Sequence, residues 1–417
     1  MTDAAPSQPL AGLRVLDATQ ALAGPFAAMI LGDLGAEIIK IEPPQGDMTR
    51  VSPPHYIDGD ALYFLANNRN KQSVVVDLKH SDGRAVLHDL VRACDVAFYN
   101  YSPGVAARLA LDHATVAALN SRIVSCSITG WGEHGPLAHQ RLVDVVAQAA
   151  AGAMSITGED GRPPVRAGVA TADLTTGLYA VVGILAALQQ RERTGRGALV
   201  ETSLFHAQLS LLNYHAPFAR HCGVSPNRIG SAHVGYAVYG TFATADGWIA
   251  LDAGFDKHFA GVCNTIGLPD LATDPRFALA RDRNLHRAAL LPILDAAFAG
   301  STTSEWCARL GAEGVPVSPV NDVLDALAHP QALAYDALAS FAFGGATVEA
   351  LATPLWFDGE HRHTLAAAPR LGEHTHAVLT RLLGYDEARI AALAAAGVIA
   401  LHQREPDRDV TAITGAS

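Results

Sequence analysis

Short apolar runs alternate with helix-like segments along the first third of the chain. The apolar runs predict strands at LRVLDAT (13–19), EIIKIE (37–42), VVVDL (74–78), VAFYN (96–100) and RIVSCSIT (122–129). Between them, FAAMILGDLGA (26–36) and residues 82–94 and 104–119 carry apolar residues at helical spacing. This alternation predicts an α/β fold, with a parallel sheet covered by helices on both faces. In such sheets ligands bind at the carboxyl ends of the strands.

One long helical pattern runs from Leu174 to Gln190 and is followed by the basic, glycine-containing tail RERTGRG. Nearly every face of it is apolar, which predicts a helix buried inside the molecule. Asp173 stands at the predicted N-terminus, among small and apolar residues. Two interpretations stay open: Asp is a favoured N-cap residue, and a buried carboxylate kept anionic by the helix dipole is a potential nucleophile.

The composition changes near residues 222–230, CGVSPNRIG. After this change, residues 238–253 predict a β-hairpin that turns at Asp246–Gly247. Helical patterns follow at 256–266, 283–299 and 303–311, and later at 374–383 and 386–395. We therefore expect a large domain at 1–224, a smaller α+β domain at 225–330 and a C-terminal segment at 331–417.

Length and charge limit the function classes. A chain of 417 residues is too long for one ordinary core and predicts two or more domains. The net charge of -11 argues against a nucleic-acid partner. Five scattered cysteines without a C-x-x-C pair favour the reducing cytoplasm. Apolar runs such as Leu178–Leu188 are shorter than the roughly 20 residues that span a bilayer, so no membrane partner is predicted.

Several catalytic motifs are excluded by their context. Gly130–Gly135 spells G-x-G-x-x-G, but Pro136 follows where a nicotinamide-binding fingerprint must open a helix. The chain has neither a G-x-S-x-G elbow nor a Walker lysine loop. The pairs His361/His363 and His374/His376 lie in polar sequence without a carboxylate cluster at metal spacing, so they predict no metal site. We expect neither a metal nor a nicotinamide cofactor.

Cationic and aromatic residues follow several predicted strands: Lys71, Lys79, Asn100, Tyr101, Arg108 and Arg141. Ser102 and Pro103 resemble the N-cap and first residue of the helix that carries Arg108. A helix N-terminus with a guanidinium one turn further on is a suitable phosphate site. Any one of these residues alone is more often a solvated surface group. Their joint occurrence at strand ends predicts a phosphorylated cofactor.

Motifs along nearly the whole chain resemble the family III CoA-transferases, a group that includes formyl-CoA transferase, carnitine CoA-transferases and the related α-methylacyl-CoA racemases. The resemblance rests on PLAGLRVLD and AGPFAAMILGDLGAEIIKIEPPQGDMTR within 9–50, NRNKQSVVVD (68–77), DVAFYNYSPGVAARL (95–109), ITGWGEHGP (128–136), the Asp173 segment, TGRG (194–197) and RLGEHTHAVLTRLLGY (370–385). It implies a Rossmann-like large domain built from both ends of the chain, a small inserted domain and an interlocked homodimer.

The resemblance also implies a chemistry. Asp173 falls on the family's catalytic aspartate, which attacks an acyl-CoA thioester, forms a mixed anhydride and then an aspartyl-CoA thioester, and passes CoA to a free carboxylic acid. Asp144 matches another acidic active-site position and is a candidate substrate residue. Carried over position by position, the coenzyme A contacts fall on Ala21, Leu22, Val76, Lys79, Asn100, Tyr101, Arg108 and Arg141.

Two departures from the family pattern bear on specificity. The glycine-rich loop of formyl-CoA transferase is replaced by RIGSAHVGYAVYG (228–240), which argues against formyl or oxalyl substrates. The racemase branch has a histidine where Val143 stands and a glutamate in the small domain, where ALDAGFDKHF (250–259) has none. A proton exchange needs an acid and a base, so the transferase is favoured. An acyl-CoA racemase or isomerase and a non-catalytic acyl-CoA-binding protein remain alternatives.

Overall fold

The computed structural model describes residues 8–361 and 365–402. They divide into two compact units. The large unit contains the chain up to Ala151, Gly168–Leu211 and the chain from Tyr335 onward, and the small unit contains Gly152–Ala167 and Leu212–Ala334. The small unit thus begins before residue 225 and includes a stretch that the sequence assigned to the large domain. Hydrogen bonds attach the segment at 152–167 to the rest of the small unit, because Arg228 donates to the carbonyls of Glu159 and Arg162.

The large unit is built on a seven-stranded sheet in the order β14-β5-β2-β1-β6-β7-β8. Neighbouring strands are parallel except β14, which runs antiparallel to β5. The predicted parallel sheet is therefore confirmed. In chain order the strands are β1 Arg14–Ala18, β2 Glu37–Glu42, β3 Tyr56–Ile57, β4 Asp60–Ala61, β5 Lys71–Val76, β6 Val96–Tyr99, β7 Val124–Thr129, β8 Leu199–Ser203, β9 Tyr239–Ala243, β10 Trp248–Asp252, β11 Val317–Pro319, β12 Leu338–Phe343, β13 Ala346–Leu351 and β14 Ile399–Ala400.

Helices cover both faces of this sheet. Alternate residues of a strand point to opposite faces. In β1, Val15 packs with the helices at 23–33 and 171–194, whereas Leu16 packs with those at 81–93, 113–119 and 375–383. Two short 3-10 helices occupy Met48–Val51 and Pro269–Ala272. The α-helices are α1 Ala23–Asp33, α2 Leu62–Asn67, α3 Ser81–Ala93, α4 Val105–Arg108, α5 His113–Leu119, α6 Asp144–Ala150, α7 Ala153–Ile156, α8 Thr171–Thr194, α9 Leu204–Ser210, α10 His215–Cys222, α11 Asp256–Thr265, α12 Ala280–Leu285, α13 Arg287–Phe298, α14 Thr303–Ala312, α15 Val323–Leu327, α16 Pro330–Ala334, α17 Thr375–Leu383 and α18 Glu387–Ala395.

The small unit has its own core around a three-stranded sheet in the order β11-β10-β9. The predicted hairpin is confirmed, because β9 and β10 pair antiparallel across the turn at Asp246–Gly247. Helices α11, α13 and α14 pack against this sheet through buried residues such as Phe259, Leu294 and Trp306. This unit is therefore a separate α+β core.

The single helix predicted at 104–119 is wrong. The chain forms α4 and α5 instead, because Ala110 between them adopts a left-handed conformation with φ of 57°. Gly104 precedes α4 with φ of 80°, so Ser102 and Pro103 do not start a helix. The helix dipole builds up along aligned peptide units. A four-residue helix supplies little of it, and the phosphate site predicted at this helix start loses its physical basis.

Helix α8 is less buried than its composition predicted. Ala172, Thr176 and Ile184 are buried, but Leu178, Tyr179 and Val182 on the other side are 51%, 47% and 62% exposed. Within the described part of the chain, α8 is also the one helix long and apolar enough to cross a bilayer by length and composition. The core helix of a soluble protein passes the same test. One face of α8 packs on α1, β7 and β8.

Candidate active site

A cavity of about 320 Å³ opens at the carboxyl ends of β1, β6 and β7. The order of the strands reverses at β1, because β2 lies on one side of β1 and β6 lies on the other. Such a switch point is where α/β sheets bind ligands. The cavity is lined by Ala21, Leu22, Ala23, Asn100, Tyr101, Ser102, Pro103, Ile128, Thr129, Gly130, Ala138, Gln140, Arg141, Leu142, Val143, Asp173 and Leu204.

The cavity brings together six of the ten residues that the family resemblance assigned to the active site. Asp173 shares its wall with Ala21, Leu22, Asn100, Tyr101 and Arg141. The other four do not line it: Val76 is in the hydrophobic core, Lys79 and Arg108 are exposed on the surface, and Asp144 accepts a hydrogen bond from the backbone of Ala172. The site therefore combines one carboxylate with an amide, a phenol and a guanidinium.

Asp173 is not the N-cap of α8. The helix begins at Thr171, so Asp173 is its third residue, and the residue before the helix is Ala170, which provides no capping side chain. The cap comes from another helix: the backbone N–H of Ala172 donates to Oδ1 of Asp144 at 2.9 Å. Gln148 donates to the other oxygen of Asp144 at 2.7 Å. Because Asp144 caps the helix, the carboxylate of Asp173 is left to face the cavity.

The pKa of Asp173 is raised to about 6, first by burial and then by the negative charge of Asp144. The N–H groups at the start of α8, which were expected to lower this pKa, do not offset the burial. Among the described residues, no hydrogen bond reaches the Asp173 carboxylate, and the nearby Ala172 N–H is taken by Asp144. Asp173 is still mostly ionised at pH 7, and its raised basicity suits an attacking group.

The loop after β1 forms one wall of the cavity. The side-chain amide of Asn100 clamps it by accepting from the N–H of Gln20 at 2.9 Å and donating to its carbonyl at 2.7 Å. Ala21 has φ of 67°, a left-handed conformation that is unfavourable for a residue with a Cβ. Neighbouring Tyr101 has its pKa raised to about 12, by burial and then by Asp17. It stays a neutral hydrogen-bond donor at physiological pH.

The start of α8 packs very closely on the start of α1. A Cβ placed on Gly177 would lie 2.7 Å from the carbonyl oxygen of Ala23 and 2.9 Å from the Phe26 ring. Gly177 is one helical turn after Asp173, and Ala23 directly follows the cavity-lining Leu22. This contact fixes the nucleophile candidate relative to the opposite wall of the cavity.

Tyr63 does not line the cavity, but it lies within the electrostatic influence of Asp173, which the sequence did not reveal. It lies on α2, and its pKa is raised first by burial and then by the negative charges of Asp173, Asp47 and Asp144. Its phenol therefore lies in the field of the Asp173 site. A tyrosine in a short helix carries no motif, and only the tertiary fold brings it there.

Within the ranges 8–361 and 365–402, no group of three or more His, Cys, Asp or Glu side chains could hold a metal ion. His363, one of the paired histidines, lies outside the described residues. His376 contacts Glu387 at 2.8 Å on the surface, and His361 stacks on Trp356. The five cysteines are free.

The parallel α/β fold places one carboxylate in a cavity at the switch point of the sheet, an arrangement typical of the active sites of α/β enzymes. The family model for CoA-transferase family III matches residues 10–375. The chain belongs to this family. It is 38% identical over 400 residues to a succinyl-CoA:glutarate CoA-transferase of Mus musculus, covering 95% of this chain and 91% of the relative.

Two further comparisons agree. An acetyl-CoA:oxalate CoA-transferase of Acetobacter aceti is 38% identical over 375 residues, covering 89% of this chain and 95% of the relative. The crystal structure of a CAIB/BAIF family protein from Brucella suis matches with a TM-score of 0.82 at 36% identity, covering 90% of this chain and 99% of that one. The family and the enzyme class expected from the sequence are thus confirmed, and CoA thioesters are the substrates of such enzymes.

Proposed function

We propose that the protein moves CoA from an acyl-CoA donor to a free carboxylic acid through covalent intermediates on Asp173. The observation that carries this proposal is the position of the Asp173 carboxylate. It is partly desolvated and lines the cavity beside Asn100, Tyr101 and Arg141. Covalent catalysis replaces one difficult exchange by easier steps.

In the first half-reaction, an oxygen of Asp173 attacks the thioester carbonyl, and the C–S bond breaks to give a mixed anhydride and CoA thiolate. The thiolate then attacks the aspartyl carbonyl, which breaks the anhydride C–O bond, releases the donor acid and leaves an aspartyl-CoA thioester. The acceptor carboxylate reverses both steps. Every nucleophile and leaving group is an anion, so no proton is transferred. This fits a cavity lined without a histidine.

The test is to incubate the protein with acyl-CoA in the absence of acceptor acid and to measure the intact mass. We expect CoA to be attached covalently, and after digestion to be found on the peptide that contains Asp173. Hydroxylamine should release the CoA and leave a hydroxamate at that residue. CoA attached at another residue, or transfer without any adduct, would contradict the proposal.

The acceptor is proposed to be a short dicarboxylic acid. This is supported by the relatives, whose names pair succinyl-CoA with glutarate and acetyl-CoA with oxalate. The missing glycine-rich loop argues against oxalate, so we place succinate and glutarate first. A panel of acids of increasing length with succinyl-CoA as donor, read by mass spectrometry of the new thioesters, decides among them. Faster turnover with monocarboxylic acids would exclude this assignment.

We also propose that the enzyme is a homodimer. The exposed apolar face of α8, formed by Leu178, Tyr179 and Val182, supports this, because such faces on soluble proteins are commonly covered by a partner. Light scattering should give twice the monomer mass for the wild type, and Val182→Glu should shift the protein toward monomer. A monomeric wild type would rule the dimer out.

An α-proton exchange is not expected. A racemase needs an acid and a base, but Val143 is the residue on the cavity wall where the racemase branch has its histidine. In deuterated water, recovered 2-methylacyl-CoA should contain no deuterium at the α-carbon after many turnovers. Deuterium uptake at the rate of transfer would instead favour the racemase or isomerase alternative.

Asp144 is expected to act on the pKa of Asp173 and on the stability of α8. Asp144→Asn keeps an oxygen for the Ala172 N–H but removes the charge, so the pKa of Asp173 should fall. The acid limb of the kcat/KM profile, near pH 6 in the wild type, should then move to lower pH. Asp144→Ala should in addition cost about 1 kcal/mol of unfolding free energy through loss of the cap. An unmoved acid limb in Asp144→Asn would refute this coupling.

A further inference from the structure

A cluster of buried charges lies behind the loop Thr19–Leu22, which forms one wall of the cavity. It contains three carboxylates and three cations: Asp17, Lys40, Glu42, Asp47, Arg50 and Lys71. Two ion pairs in this cluster are fully buried. Nζ of Lys40 lies 2.9 Å from Oδ2 of Asp47, and Nζ of Lys71 lies 3.0 Å from Oδ2 of Asp17. None of these six residues lines the cavity.

The Lys40–Asp47 pair makes direct hydrogen bonds to that loop. Nζ of Lys40 donates to the carbonyl of Thr19 at 2.9 Å. Oδ1 of Asp47 accepts from the N–H of Ala21 at 3.4 Å and from the N–H of Thr49 at 2.9 Å. Two backbone groups that lead into the left-handed residue Ala21, the Thr19 carbonyl and the Ala21 N–H, are thus attached to one ion pair. Together with the Asn100 clamp on Gln20, side chains thus hold the backbone groups of three consecutive loop residues.

Stability alone does not explain such a pair. Removing two charges from water costs as much as their attraction returns, and apolar residues of similar volume often replace a buried pair without loss. Burial lowers the pKa of Lys40, but Asp17, Asp47 and Glu42 more than offset this, so its pKa stays above the usual value and the ammonium is charged. Apolar residues could not supply the directed hydrogen bonds that the pair makes to Thr19 and Ala21. The pair therefore specifies a loop conformation.

We propose that Lys40 and Asp47 are positioning residues, which hold the loop Thr19–Leu22 in the strained conformation that shapes the cavity opposite Asp173. This rests on the proposed function, since the loop acts only by orienting the acyl-CoA thioester toward that carboxylate. A displaced wall misaligns the thioester, and small misplacements of reacting groups lower rates strongly. Neither side chain touches substrate.

The test compares two apolar replacements of buried ion pairs. The double variant Lys40→Met/Asp47→Leu removes the ion pair that is proposed to hold the loop. Asp33→Leu with Arg69→Met removes an equally buried pair, 2.6 Å apart, near the other end of α1 from the loop. We expect the first variant to lose at least about tenfold in kcat/KM for acyl-CoA and tenfold in calorimetric affinity for free CoA. The control should stay within about twofold of wild type, even if both lose thermal stability.

Equal kinetics and equal CoA affinity in the two variants would overturn the proposal. The affinity for free CoA does not depend on CoA transfer, so it tests the role of the ion pair alone. The covalent mechanism is tested separately, by the CoA adduct of the wild-type protein. If the double variant does not fold, Asp47→Asn is compared with Asp47→Ala. The asparagine keeps an acceptor for the Ala21 N–H and should retain at least about tenfold more activity. Equal loss in both would assign the pair a purely structural role.

Discussion

Asp173→Asn is expected to lower kcat for CoA transfer by about 10⁴-fold or more, the scale seen when a covalent nucleophile is removed. The amide keeps the size and shape of the side chain and cannot form the mixed anhydride. Binding of free CoA should be almost unchanged, because the phenol, amide and guanidinium on the cavity wall remain. Steady-state rates and calorimetric titration with CoA measure the two effects.

The same substitution should make the protein more stable at neutral pH. A folded-state pKa of about 6 lies above the ordinary value of 3.8, so the folded protein binds this proton more tightly than the unfolded chain. The contribution of Asp173 to stability therefore falls as pH rises from about 4 to 6, and the ionised carboxylate is destabilising at pH 7. Asparagine removes that cost and should raise Tm at pH 7 but not at pH 4. Near-wild-type turnover, or a lower Tm at pH 7, would reject the assigned role.

The second large effect is expected at Gly177. An alanine there must move α8 away from α1, because backbone and not a flexible side chain stands 2.7 Å from the new Cβ. Alanine is the better helix former by about 1 kcal/mol. Overpacking costs about 1–3 kcal/mol, so the net change in stability should be small or modest. Displacing Asp173 from the opposite wall should nevertheless lower kcat by about 10²-fold.

Gly183→Ala is the matched control on the same helix. Its Cβ would lie 2.5 Å from Val200 on β8, away from the cavity, so it also overpacks the helix. The atom that it meets is a side-chain methyl, which moves more easily than backbone, so thermal melts should show a loss no larger than that of Gly177→Ala. Only Gly177→Ala should lose activity, and equal kcat values would mean that the α1–α8 contact does not position the nucleophile.

The sequence predicted the sheet well because parallel strands are buried on both faces. They therefore appear as continuous apolar runs such as Val74–Val76. The sequence did not reveal the cap of α8, because the capping carboxylate, Asp144, is 28 residues away from its partner, Ala172. Helix-start signals only describe neighbours in the chain. The break at Ala110 was missed for another reason, since an alanine in the left-handed conformation has no sequence signature.

The candidate site was predicted in part. Residues that follow β1, β6 and β7 meet because the carboxyl ends of parallel strands share one edge, which placed Asn100 and Arg141 near Asp173. The exposure of Val182 could not be predicted, because an apolar helix face has the same pattern whether it packs in a core or is left uncovered in one chain. The ion pair of Lys40 with Asp47 could not be predicted either, because a charged residue in a strand normally predicts a solvated edge.

The sheet of the large unit also constrains how the protein is made. Strand β14 pairs with β5, and α17 and α18 pack into the same core as α3. These elements lie more than 280 residues apart, with the small unit encoded between them. During synthesis, the outer edge of β5 therefore stays unpaired until β14, which follows the last helix, leaves the ribosome. Contacts of such long sequence separation slow folding, and open strand edges promote aggregation. A nascent chain stalled after the small unit should depend on chaperones, whereas the small unit can acquire its core early.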